Sequence, residues 1–77
     1  MKTSIYDREQ NIYELQTALR AMWQDDKILT IINPDGVFGS ETTIAVKEAQ
    51  LFFGLPQTGD ADYDTWELIF ESYFDGL

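Results

Sequence analysis

Apolar residues recur at the spacing of one helix face near the start of the chain, at Ile12, Leu15, Leu19, Met22 and Trp23. This spacing predicts an amphipathic helix over about residues 9–24. Its solvent face is expected to carry Glu14, Gln16, Thr17, Arg20 and Gln24. The following segment, Lys27 to Pro34, contains the β-branched, apolar run ILTII. That composition predicts extended backbone rather than helix.

Two further helices are predicted after clear turn signals. Pro34, Asp35 and Gly36 form a turn, after which Gly39 or Ser40 is the expected N-cap of a helix over about residues 40–53. Gly54 suits the left-handed residue that follows a helix, and Pro56 blocks its continuation.

The third helix is predicted over about residues 62–74, with Asp62 as its N-cap. Trp66, Ile69, Phe70 and Tyr73 share its apolar face. The fold class expected from the three segments is all-α, a small three-helix bundle with short irregular connections. A chain of 77 residues is expected to form one domain, residues 1–77.

The entrances to the second and third helices resemble each other. DGVFGSETTIAV places Gly36 six residues before Thr42, and TGDADYDTWELI places Gly59 six residues before Thr65. In this alignment Val46 corresponds to Ile69. The pattern suggests two short pseudo-repeats within the bundle.

Composition narrows the possible functions. The chain has no cysteine and no histidine, so it offers no disulfide, no thiolate nucleophile, no thiolate metal site and no imidazole base. Ser4 and Ser40 have no histidine to activate them. We therefore expect no enzymatic activity, no catalytic residue, no cofactor and no bound metal.

The charge is strongly acidic, with a formal net charge of -9 and no Lys or Arg after Lys47. Such a surface repels phosphate backbones and anionic lipids, so nucleic acid and membranes are not expected partners. No apolar run of about 7–15 residues follows the N-terminus, as a secretory leader requires. Two localisations stay open: the cytoplasm, or the cell wall as part of a larger secreted or phage protein.

The combined motifs resemble the peptidoglycan-binding domain of bacterial and phage wall hydrolases. The resemblance covers about residues 9 to 73. It rests on the segments LQTALR, DGVFGSETTIAVKEAQ and GLPQTGDADYDTWELI. One departure is Ala49, where the family has a bulky aromatic before the glutamine. Matrix metalloproteinase propeptides share this fold, but their inhibitory cysteine has no counterpart in this chain.

The resemblance implies a non-catalytic module that binds the glycan or the stem peptide of peptidoglycan and targets a linked or associated wall hydrolase. The alternative is a protein–protein interaction module in a phage or secretion assembly, which keeps the fold without wall binding. A partner of the domain would then be a wall hydrolase or an assembly protein.

Candidate ligand contacts lie in the DGVFG turn, in the helix start that follows it and on two off-stripe tyrosines: Tyr13, Asp35, Gly36, Phe38, Gly39, Thr42 and Tyr63. The competing interpretation places Phe38 in the core and treats the glycines as turn residues. Asp60, Asp62, Asp64 and Glu71 match four positions of a calcium loop, but its glycine position holds Thr65. These acids are better explained as a helix entrance.

Overall fold

A computed structural model describes residues 9–75 of the chain, with side chains described from residue 11 to residue 74. It contains three α-helices: α1 (Glu9–Gln24), α2 (Ser40–Phe53) and α3 (Tyr63–Asp75). Each helix packs against the other two. No strand occurs between residues 9 and 75, and the segment from Lys27 to Pro34 is irregular. The prediction of an all-α three-helix bundle is confirmed.

The core draws on all three helices and on the α1–α2 connection. Its buried apolar residues are Leu15, Ala18, Leu19, Met22, Ile28, Ile32, Ala45, Val46, Ala49 and Ile69. Half-buried aromatic side chains close its edges, among them Trp23, Phe38, Phe53, Trp66, Phe70 and Tyr73. Because Ile28 and Ile32 are buried with the helices, the connection is part of the packed structure.

Three helix ends are closed by local interactions. Asp26 follows α1 with φ 62°, in the left-handed region, and the Lys27 N–H donates to the Met22 carbonyl at 2.8 Å. Gly54 takes the same role after α2 with φ 76°, as predicted. The Asp62 carboxylate accepts a hydrogen bond from the Thr65 N–H at 3.0 Å, which confirms the predicted cap of α3.

Side chains from two helices fix the α1–α2 connection. The Glu48 carboxylate accepts hydrogen bonds from the backbone N–H groups of Leu29 (3.1 Å) and Thr30 (2.9 Å) and from the Thr30 hydroxyl. Arg20 donates to the Ile32 carbonyl and to Asn33 Oδ1, each at 3.2 Å. These bonds hold the irregular chain against α1 and α2.

Two side chains depart from the predicted helix faces. Gln16, expected on the solvent face of α1, is only 1% exposed, so that prediction is wrong. Its amide is buried because it bonds to the loop before α2. The helical spacing of Ala45, Val46, Ala49, Phe52 and Phe53 predicts Phe52 on the apolar stripe of α2. Phe52 is instead 51% exposed, because the inward positions at that end belong to Ala49, Gln50 and Phe53.

Candidate functional site

The Gln16 side-chain amide organises the loop that leads into α2. Its Oε1 accepts hydrogen bonds from the backbone N–H groups of Asp35 (2.8 Å) and Gly36 (2.9 Å). Its Nε2 lies within hydrogen-bond distance of Asp35 Oδ1 (3.1 Å), the Val37 carbonyl (2.9 Å) and Thr42 Oγ1 (2.9 Å). The amide has two hydrogens for these three acceptors, so two of the acceptors share one hydrogen. This amide fixes the shape of the DGV turn.

The Gln50 amide does the same for the loop that leads into α3. Its Oε1 accepts from the Gly59 N–H at 3.0 Å. Its Nε2 contacts Thr58 Oγ1 (3.1 Å), the Asp60 carbonyl (3.1 Å) and Thr65 Oγ1 (3.0 Å). Gln50 is almost completely buried, and the loop around it has no backbone ladder to satisfy its polar groups.

The two arrangements correspond group by group. Gly36 matches Gly59, and Thr42 matches Thr65, as the pseudo-repeat predicts. In addition, a side-chain oxygen of the residue before each glycine accepts a bond from the backbone N–H two residues later: Asp35 from Val37, and Thr58 from Asp60.

The repeat therefore consists of two helix–turn–helix units, each organised by one buried glutamine, and α2 belongs to both units. The sequence signal for the glutamines is a shared Glu-x-Gln pattern, in Glu14-Leu15-Gln16 and Glu48-Ala49-Gln50.

Asp35 is an exposed carboxylate with ordered hydrogen bonds. The Val37 N–H, at 2.9 Å from Oδ1, lowers the pKa of Asp35 most, and the Gln16 amide lowers it further. Both donors stabilise the charged form. Asp35 is therefore ionised at neutral pH and is poorly suited to act as a general acid there.

A shallow cleft of about 280 Å³ opens between the α1–α2 connection and the first turn of α2. Its lining residues are Gln16, Ile32, Asn33, Asp35, Val37, Gly39, Ser40, Glu41 and Thr42. The helix begins there without a side-chain cap, since its N-cap residue is Gly39. The first N–H groups of a helix have no partner within it, so this cleft combines backbone donors with two carboxylates.

The structure brings only part of the predicted contact set to this cleft. Asp35, Gly39 and Thr42 line it. The Thr42 hydroxyl, however, bonds to Gln16, and the buried Gly36 directs its N–H to the same amide. Their roles in the loop are structural.

The three predicted aromatic contacts lie elsewhere. Phe38 is half-buried and packs against the core, and Tyr13 and Tyr63 are exposed but do not line the cleft. Asn33, Ser40 and Glu41 also line the cleft and were not among the predicted contacts: no motif marks the tethered connection that contains Asn33, and Ser40 and Glu41 belong to the first turn of α2.

The acidic stretch before α3 forms the entrance to a helix. Asp62 caps the helix, and the residues from Tyr63 onward are helical. Among the described side chains, no group of three or more acidic residues is arranged to hold a metal ion. Within the described part of the chain, no helix has both the length and the apolar character needed to cross a membrane.

Comparison with known proteins gives one family match. The family described as "putative peptidoglycan binding domain" matches residues 8–69, which cover all of α1 and α2 and the first half of α3. No curated protein and no solved structure gives a significant match. Since the match spans most of the chain and includes both glutamine-organised loops, the chain belongs to the putative peptidoglycan-binding domain family.

Proposed function

We propose that this domain is a non-catalytic peptidoglycan-binding module and that it holds a linked or associated wall hydrolase at the bacterial cell wall. The observation that carries the proposal is the family match over residues 8–69. Attachment of this kind raises the local concentration of an enzyme on its substrate without adding any chemistry.

The wall contact is assigned to the cleft beside Asp35. Its polar lining includes the Asn33 amide, the Ser40 hydroxyl and the carboxylates of Asp35 and Glu41, and it includes no lysine or arginine. Neutral N-acetyl sugars suit the uncharged donors and acceptors, and the amines of stem peptides suit the carboxylates. Phosphate-rich wall polymers are disfavoured by the same two charges.

Gly39→Gln tests the cleft directly. Gly39 lines the cleft, a Cβ there meets no atom within 4 Å and the backbone φ is -101°, so a longer side chain fits at this position without strain. Leu51→Gln is the matched control, because Leu51 is an exposed residue at the opposite end of α2. Circular dichroism checks that both variants keep the fold.

The assay is co-sedimentation with purified sacculi stripped of teichoic acids, at low and physiological salt. We expect the parent domain and Leu51→Gln to pellet alike, and Gly39→Gln to lose affinity by about tenfold, the equivalent of about 1.4 kcal/mol. A folded parent domain that stays in the supernatant at both salts refutes wall binding. That result leaves a protein-interaction module of the same fold as the function.

A further inference from the structure

The outer side of α3 carries a second surface, separate from the cleft. Residues 63, 67, 70, 71 and 74 lie on one side of the helix, where they place three aromatic rings beside two carboxylates. We call this surface, formed by Tyr63, Glu67, Phe70, Glu71 and Phe74, the aromatic–acidic face. Tyr63 is 58% exposed and Phe74 is 60% exposed, so much of this aromatic area faces solvent.

Contacts along the helix order these side chains. The Phe70 ring stacks on Phe74 with centroids 6.1 Å apart, and it also contacts Trp66 at 4.9 Å. Tyr73 packs edge-on against Phe74 at 5.3 Å. The Tyr63 hydroxyl donates to Glu67 Oε2 at 2.8 Å. A surface whose rings are already held in place loses less conformational entropy when a partner binds.

The charge around the rings has a single sign. Helix α3 contains Asp64, Glu67, Glu71 and Asp75 and no Lys or Arg. Arg20 bonds to the α1–α2 connection, and Lys27 donates at 3.0 Å to the hydroxyl of Ser72, a residue of α3 outside the aromatic–acidic face. The aromatic–acidic face therefore presents apolar area within a negative field.

We propose that the aromatic–acidic face docks a basic segment of a partner protein, with apolar side chains against Phe70 and Phe74 and with Lys or Arg against Glu67 and Glu71. Aromatic rings beside carboxylates suit cationic side chains doubly, through cation–π contact and charge pairing. A second copy of this chain is a poor occupant, since two chains of net charge -9 repel each other. This interaction does not depend on wall binding by the cleft.

A defined peptide serves as the probe. It is fluorescein-labelled, helical and about 14 residues long, with leucines along one side and lysines flanking them. The control peptide has glutamate at every lysine position. We expect the full chain to bind only the basic peptide. In ¹⁵N–¹H spectra, shift changes are expected to concentrate on residues 63–74.

Matched variants separate the face from the overall charge. Glu67→Gln/Glu71→Gln and Glu14→Gln/Asp25→Asn each remove two exposed negative charges, but the second pair lies on and just after α1. We expect the first pair to weaken binding by about tenfold and the second by less than about twofold. Phe74→Ala is expected to weaken binding more than Leu51→Ala, which also truncates an exposed apolar residue.

Four outcomes overturn the proposal. Equal losses of affinity in the two double charge variants mean that the peptide responds only to net charge. Shift changes centred outside residues 63–74 mean that the peptide binds another surface. Concentration-dependent dimerisation that Phe74→Ala abolishes assigns the face to a second copy. If the affinity for the basic peptide rises about fivefold in Lys2→Gln/Arg8→Gln, the occupant of the face is the chain's own N-terminal segment.

Discussion

Replacing Gln50 by Leu tests whether the buried amides stabilise the fold. Leucine keeps nearly the same volume but removes every hydrogen bond that the Gln50 side chain makes to the α2–α3 loop and to Thr65. The Gly59 N–H and the Thr65 hydroxyl are then left without their partner in buried positions. Thr58 and Asp60 are exposed, so water replaces the amide for them.

The expected loss of stability follows from the two stranded groups. A buried polar group without a partner costs about 1–3 kcal/mol, so two cost about 2–6 kcal/mol. A chain of this length has a total free energy of unfolding of about 4–12 kcal/mol. Gln50→Leu therefore removes a large share of the stability, whereas Gln57→Leu, at an exposed position in the same loop, changes it by less than about 0.5 kcal/mol.

Urea unfolding followed by the fluorescence of Trp23 and Trp66 measures these differences. A second substitution, Thr65→Val, removes the stranded hydroxyl. The loss of unfolding free energy in the double variant is therefore expected to be smaller than the sum of the two single losses by about 1 kcal/mol or more. A loss below about 1 kcal/mol for Gln50→Leu, or strict additivity with Thr65→Val, refutes the structural role assigned to the amide.

Three further predictions concern single positions. Asp26→Gly is expected to raise the free energy of unfolding by about 1 kcal/mol, because glycine tolerates φ 62° better, and thermal unfolding measures it. Because the pKa of Asp35 is lowered in the folded state, its ionised carboxylate stabilises the fold above pH ~4. This stabilisation is lost as pH falls through the folded-state pKa. The stability of Asp35→Asn should therefore depend less on pH between about 2 and 4 than that of the parent, in urea titrations. Gly59→Ala should destabilise more than Gly54→Ala in the same assay. Both glycines have positive φ, but only at Gly59 does a Cβ approach Thr43 to 2.8 Å.

The helices and most of their ends could be predicted because their signals are local. Apolar residues at a spacing of three and four positions mark the inner faces, and Gly54 and Asp62 act on backbone groups within a few residues. Asp26 is the exception. Its left-handed backbone at the end of α1 is a conformation for which glycine is the usual sequence signal.

The interior glutamines could not be predicted from hydrophobic pattern, which assigns any polar residue to the solvent face. Gln16 is buried because the loop it satisfies lies about twenty residues further along the chain, and only the folded bundle brings them together. The cleft has the same origin. Arg20 and Glu48 tether the α1–α2 connection, which forms one wall of the cleft, to the helices, and no short motif encodes such tethers.

The assignment of α2 to both glutamine-organised units has a consequence for folding. This helix supplies Thr42, whose hydroxyl accepts a hydrogen bond from the Gln16 amide. It also supplies Gln50, whose amide organises the loop before α3. A cut through α2 between Thr42 and Gln50 leaves each amide with its own loop, but it divides the helix that both units share and separates buried residues of the common core. Neither fragment should therefore be independently stable. Unfolding should be all-or-none, and the amide protons of α2 should exchange with solvent last. Eight residues after Thr42 comes Gln50, but eight after Thr65 comes Tyr73, which cannot organise a third loop.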